Sequence, residues 1–107
     1  MIGRKVQVVV DRPLGSRHPS HPDIFYTVNY GYVPGVLAPD GEEQDAYILG
    51  VSEPVECFTG LVIAVLHRLN DVEDKWVVAP ENVSLTKEEI MAQVAFQERY
   101  FITEIEM

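Results

Sequence analysis

Leu61-Val62-Ile63-Ala64-Val65-Leu66 is a continuous apolar run inside Gly60 to Arg68. It is too short for a convincing helix, so it reads as a strand buried on both faces. After a tight acidic connection, Leu69 to Glu73, a second strand returns over Asp74 to Ala79, and Pro80 ends the hairpin. Further towards the N-terminus, Asp45-Ala46-Tyr47-Ile48-Leu49-Gly50 alternates as a strand does, and Lys5 to Asp11 is a Val-rich strand ended by Arg12-Pro13. Between them, Pro13 to Asp23 carries three prolines, a glycine and two histidines, which makes it a loop. Ile24 to Val33 is aromatic-rich, and Gly31 within it marks a bulge or a close backbone approach. Towards the C-terminus, Thr86-Lys87-Glu88-Glu89 is a capping box. The helix it opens is expected to bury Ile90, Val94, Phe101 and Ile105. Several short strands and one terminal helix predict a mainly β fold, a small barrel closed by a helix.

At 107 residues the chain is one domain, with a modest core. Apolar residues make up 47% and charged residues 23%, which excludes a disordered chain. The net charge of −9 leaves no basic stripe, so nucleic acid is not an expected partner. The apolar run from Val6 to Val10 is too short for a signal core or a membrane span. With Cys57 as the only cysteine, no internal disulfide forms, and a reducing, cytoplasmic location without membrane attachment is expected. A barrel this small, with exposed aromatic loops, is expected to assemble into a symmetric homo-oligomer.

Two acidic clusters carry the chemistry. Asp40-Gly41-Glu42-Glu43-Gln44-Asp45 places four carboxylates within six residues, on the turn into a strand. Asp71-Val72-Glu73-Asp74 falls in the turn of the predicted hairpin. Each could be a solvated acidic turn. Together, at strand ends that meet on one barrel rim, they could hold two or more Mg²⁺ ions through hard oxygen ligands. The ligand of such a site would be polyanionic and would also need cations and hydroxyl donors. Arg12, Lys75, Tyr30 and Tyr100 are the candidates. Lys75 shares a strand face with Val77 and Ala79, either as an edge residue that snorkels or as a cation lining the barrel. Among the rest, His18 and His21 could nominally bind a metal or lie in an exposed or subunit-contacting loop. His67 and Trp76 read as structural, and Cys57 as a half-buried small hydrophobe.

Tyr26-Thr27-Val28-Asn29-Tyr30-Gly31-Tyr32-Val33-Pro34-Gly35, followed by Asp40-Gly41-Glu42-Glu43-Gln44-Asp45, resembles the signature of the soluble family I inorganic pyrophosphatases. Val10-Asp11-Arg12, Glu73-Asp74-Lys75-Trp76-Val77-Val78-Ala79-Pro80 and Phe96-Gln97-Glu98-Arg99-Tyr100 are similar to further segments of that family, in order. The resemblance implies a five-stranded OB-type barrel with a C-terminal α-helix. It also implies Mg²⁺-dependent hydrolysis of pyrophosphate, or a related phosphoanhydride, with Mn²⁺ as an alternative to Mg²⁺. On it, Asp40, Glu42, Asp45, Asp71 and Glu73 become metal ligands, with Asp74 competing for the place of Glu73. Glu42 would activate the attacking water, with Asp45, Arg12, Tyr30 and Lys75 as its catalytic partners. Arg12, Tyr30, Lys75 and Tyr100 would contact phosphate oxygens. Glu42 stands where the family has aspartate, Glu43 where it has proline, and Phe101 where a lysine follows the tyrosine. The N-terminal strands that carry another substrate lysine have no counterpart here, so Arg68, Arg99 or a neighbouring subunit is expected to stand in. The alternative reading is a non-catalytic relative that binds metal and a phosphate or nucleotide ligand.

Overall fold

β4 (Cys57–Arg68) is the strand on which the sheet closes. Its first half pairs antiparallel with β1 (Lys5–Arg12), from Cys57 to Leu61, and its second half with β5 (Asp74–Ala79), from Leu61 to His67. The ladder continues from β5 to β3 (Glu43–Ile48), from β3 to β2 (Asn29–Leu37), and from β2 back to β1. Only the β3–β5 pair is parallel. This closed five-stranded barrel is seen in a computed structural model that describes residues 2–71 and 73–107. Met1 and Val72 lie outside the described residues. Among those described, no helix is long and apolar enough to cross a membrane.

Two features let β4 turn the corner between its partners. A register shift lies between Val62 and Ala64, and bulges of this kind bend a strand. At Gly60 a Cβ would come within 2.5 Å of the Ala79 carbonyl oxygen, so only glycine fits. Gly31 is tighter still. A Cβ there would sit 1.9 Å from the Val9 carbonyl oxygen, which is the close backbone approach the sequence suggested.

Alternation along the strands divides the apolar residues between two cores. Val6, Val8, Val33, Ala46, Ile48, Val62, Val65, Trp76 and Val78 come from all five barrel strands and fill the interior. Tyr30, Tyr47, Ala64, Leu66 and Val77 face the other way and pack beneath Ile90 and Val94 of α1 (Lys87–Glu98). The capping box is present in full: the Thr86 hydroxyl accepts from the Glu89 N–H, and the Glu89 carboxylate accepts from the Thr86 N–H.

The helix is shorter than its sequence predicts. It ends at Glu98, with Arg99 as its C-cap, so Phe101 and Ile105 lie beyond it. Ile105 belongs instead to β6 (Thr103–Glu106), which pairs antiparallel with β4 from Val65 to Arg68. The competing forces are visible. The Leu69 N–H donates to the Ile102 carbonyl, the Ile102 N–H to the Asn70 side chain, and the Thr103 hydroxyl to Glu98. A fresh ladder along β4 thus replaces two more helical turns. Cys57 is exposed where β4 begins, rather than half-buried. Gly31→Ala should therefore lower stability by about 3 kcal/mol through overpacking, read as a lower urea midpoint. An unchanged midpoint would mean that β1 and β2 do not approach so closely.

Candidate functional site

The wall of the barrel beneath the C-terminal end of α1 carries the polar chemistry. Strand parity puts it there. Asp45 lies two residues before Tyr47, Lys75 two before Val77, and Arg68 two after Leu66, so all three share the helix-covered face with those apolar residues. Arg12 joins them through an irregularity. The register shifts between Val10 and Arg12, which brings Arg12 opposite Tyr30 and re-aims its side chain to the outer face.

These residues line a cavity of about 580 Å³, together with His18, His21, Asp23, Ile24, Glu73, Gln97, Tyr100 and Phe101. Beneath it runs an unbroken chain of hydrogen bonds. Arg12 Nη1 donates to the Tyr26 hydroxyl (2.7 Å), which donates to Gln97 Oε1 (2.7 Å). Gln97 Nε2 donates to the Tyr47 hydroxyl (2.7 Å), and that hydroxyl donates to Glu98 Oε2 (2.6 Å). Arg68 grips Glu98 in a bidentate pair, Nε to Oε1 at 3.1 Å and Nη2 to Oε2 at 2.6 Å. Its Nη1 donates to Glu73 Oε2 (3.1 Å). Lys75 Nζ then bridges Glu73 Oε2 at 3.0 Å and Asp45 Oδ2 at 2.5 Å. The Tyr30 hydroxyl bonds to Asp45 in turn.

The electrostatics follow from burial. Burial, then the Asp45 charge, pushes the Tyr30 hydroxyl well above its usual range. Burial and the Glu98 charge do the same to Tyr47. Both tyrosines are therefore protonated donors at neutral pH. Burial opposes ionisation of Glu98, but the bonds from Arg68 and Tyr47 outweigh it and hold that carboxyl below its usual value. Phe101 lies 3.7 Å beneath the Arg68 guanidinium, an aromatic platform for a cation that also faces the cavity.

The predicted site residues divide in two. Arg12, Tyr30, Asp45, Glu73, Lys75 and Tyr100 meet on the cavity wall. Lys75 is only 3% exposed, which removes the reading of it as a snorkelling edge residue. Asp71 does not line the cavity; its carboxylate lies 3.8 Å from Arg68. Asp74 has the opposite strand parity to Lys75 and turns away to His67 (3.1 Å). Asp40 and Glu42 stay on the exposed turn between β2 and β3, where the Asp40 carboxylate accepts the Glu42 N–H. Neither lines the cavity. Sequence reasoning missed Tyr26, Tyr47, Gln97 and Glu98. One signal for the last two was present: from Ile90 and Val94 the buried helical stripe continues onto 97 and 98, where both residues are polar.

Among the described residues, no three His, Cys, Asp or Glu side chains converge closely enough to hold a metal. Mg²⁺ does not require such a cage, since one or two carboxylates with waters and ligand phosphates suffice. Asp45 and Glu73 meet that minimum, with the Lys75 ammonium between them.

A closed barrel with a helix across one wall, and a cavity beneath the helix end, defines the fold class. Within that class the chain has the family I inorganic pyrophosphatase-like fold. It superposes on an inorganic pyrophosphatase from Ehrlichia chaffeensis with a TM-score of 0.72 at 16% identity, covering 97% of this chain and 85% of that one. The pyrophosphatase from Coxiella burnetii matches at 0.66 and 17% identity (99% and 86% covered), and that from Neisseria gonorrhoeae at 0.65 and 22% (92% and 74%). No protein-family model matches the chain, and no curated protein matches it in sequence.

The depressed Glu98 carboxyl makes stability depend on pH in a defined direction. The ionised form is favoured by folding, so its contribution is complete above its ordinary value of 4.5 and is lost as pH falls from there through the folded value. Glu98→Gln should flatten this acid limb of the melting curve and cost about 2 kcal/mol at pH 7. An acid limb equally steep in the variant would remove Glu98 from this role.

Proposed function

We propose that the chain hydrolyses pyrophosphate or a related phosphoanhydride in the presence of Mg²⁺. The observation that supports this most directly is the meeting, on one cavity wall, of Arg12, Lys75, Tyr30 and Tyr100 with the carboxylates Asp45 and Glu73. Asp45 and Glu73 are the residues that would hold the ion. When bound, Mg²⁺ supplies charge neutralisation and an acidified water.

The remaining work falls to the protein's own side chains. Phosphoryl transfer asks the site mainly for positioning and electrostatic stabilisation. Arg12 has no carboxylate partner among the described residues' ion pairs; its guanidinium is bonded only to the Tyr26 hydroxyl and lies 5.5 Å from the Tyr30 ring centre. It is therefore the cation readiest to receive a phosphate. Lys75 can follow the ligand by exchanging one of its two carboxylates for a phosphate oxygen. Tyr30 and Tyr100 add hydroxyl donors. Arg68, fixed from below by Glu98, faces the same cavity and is the candidate for the lysine position that Phe101 occupies. Glu42, on its exposed turn, can take part only if that turn swings towards the cavity.

A second reading rests on Lys75. Because its ammonium already neutralises Asp45 and Glu73, the same cavity could hold a phosphate or nucleotide ligand without turnover. Phosphate release separates the two. With Mg²⁺ or Mn²⁺ present, Asp45→Ala and Lys75→Met should each lose on the order of 10²-fold in turnover. Wild-type release no faster than that of Asp45→Ala, with calorimetric binding retained, would leave the binding-only reading standing.

A further inference from the structure

The loop between Pro13 and Asp23 closes one side of the cavity, and within it the His18 ring is bonded to the loop's own backbone. His18 Nδ1 accepts two backbone N–H groups, from Ser20 at 3.0 Å and from His21 at 3.1 Å. A nitrogen that accepts carries no proton, so the neutral ring has its N–H on Nε2. Protonating Nδ1 would break both bonds. Burial, the Arg12 charge and the His21 ring also favour the neutral form, with only Asp23 opposing them. The ring is stacked on Tyr26 with centroids 6.4 Å apart, and Tyr26 is the residue that holds Arg12. His18 lines the cavity, and Nε2 has no protein partner among the described residues.

We propose that His18 is a ligand-contacting residue: a neutral Nε2–H donor, aimed by its own loop, to the phosphate oxygens received by Arg12. The inference rests on the phosphate-ligand reading above and adds a residue to it. A neutral donor suits this place. It contributes a hydrogen bond without another positive charge beside Arg12, and its strength does not vary with pH while the ring stays unprotonated.

The test separates the two ring nitrogens. In His18→Asn the side-chain oxygen takes the place of Nδ1 and can accept the same two N–H groups, as asparagine does in turns, but nothing replaces Nε2–H. In His18→Gln the amide reaches the Nε2 position with a donor. Methylenediphosphonate, which cannot be hydrolysed, is titrated calorimetrically in Mg²⁺ buffer, so binding is read apart from turnover. His18→Asn should keep the wild-type melting temperature and bind about 10-fold more weakly, the loss of one hydrogen bond to a charged group. His18→Gln should bind within about 3-fold of wild type. In the unsubstituted protein, the ¹⁵N shifts of His18 should report an Nε2–H tautomer at pH 7, and Nε2 should shift when the diphosphonate is added. Equal binding by His18→Asn, an unmoved Nε2 resonance, or no binding by the wild type would each overturn the proposal. Absent hydrolysis with binding intact would overturn only the enzymatic reading.

Discussion

Arg68 and Glu98 are both shut off from solvent, with side-chain exposures of 4% and 0%. Neither charge could be buried there alone. Removing an ion from water costs several kcal/mol after relaxation, and the attraction of a partner recovers it only when geometry is good and the remaining donors and acceptors are filled. Here they are filled. The two Glu98 oxygens receive Arg68 twice, Tyr47 and Thr103, while the third guanidinium nitrogen reaches Glu73. The pair also resolves a conflict within the helix. A carboxylate at a helix C-terminus faces the negative end of the dipole, and α1 has no basic residue in its last turn. Arg68, arriving from β4, supplies the missing positive charge. The pair thereby pins the helix end, the last turn of β4 and the return of the chain into β6 to one point.

From that point the site is a matter of parity and small irregularities. Regular alternation is enough to bring Asp45, Lys75 and Arg68 to one wall. It is also enough to send Asp74 to the other side, where it meets His67, whose second ring nitrogen contacts Glu106 of β6 at 2.8 Å. Arg12 needs more. Without the register shift after Val10, the strand's alternation would keep a residue of the same parity with Val6 and Val8, in the barrel interior. One extra residue in β1 thus places the cation that forms no ion pair among the described residues.

Much of this was readable from the residues. The Val-rich and alternating runs gave β1 and β5 nearly to their ends, while β3 and β4 both begin earlier than their runs, at Glu43 and Cys57, and β3 stops sooner, at Ile48; the capping box located the start of α1. Lys75 was placed on the right strand face from spacing alone, with its burial left as one of two readings. What could not be read were partnerships across long stretches of chain. Gln97 and Glu98 fall on the buried helical stripe, but what they bond to is hidden until Tyr26, 71 residues before Gln97, and Tyr47, 51 before Glu98, are known to lie beneath them. The helix end failed for a related reason. Phe101 and Ile105 fit a helical period, but the free edge of β4 offered Ile105 and its neighbours a ladder, and tertiary context prevailed over local pattern. The acidic run from Asp40 to Asp45 drew the eye as a unit, yet it straddles a turn and a strand. Only its last member rides the strand into the cavity.

The protein carries 17 acidic against 8 basic side chains, so the long-range field disfavours anions. The cavity offsets this locally by gathering Arg12, Arg68 and Lys75 against Asp23, Asp45 and Glu73. The means of gathering them sets a constraint. Arg68 and Lys75 are fixed by the carboxylates that mute their charge, Glu73 between the two, and Glu98, which grips Arg68, also seals the helix end. Replacing Glu98 would therefore change the field in the cavity and the packing of α1 together. A site held by residues this committed to the fold is well preorganised, because little can move when a ligand arrives. For the same reason its chemistry cannot be altered one side chain at a time. The parts free to vary are those the network does not hold: Tyr100 at the rim and the exposed turn bearing Asp40 and Glu42.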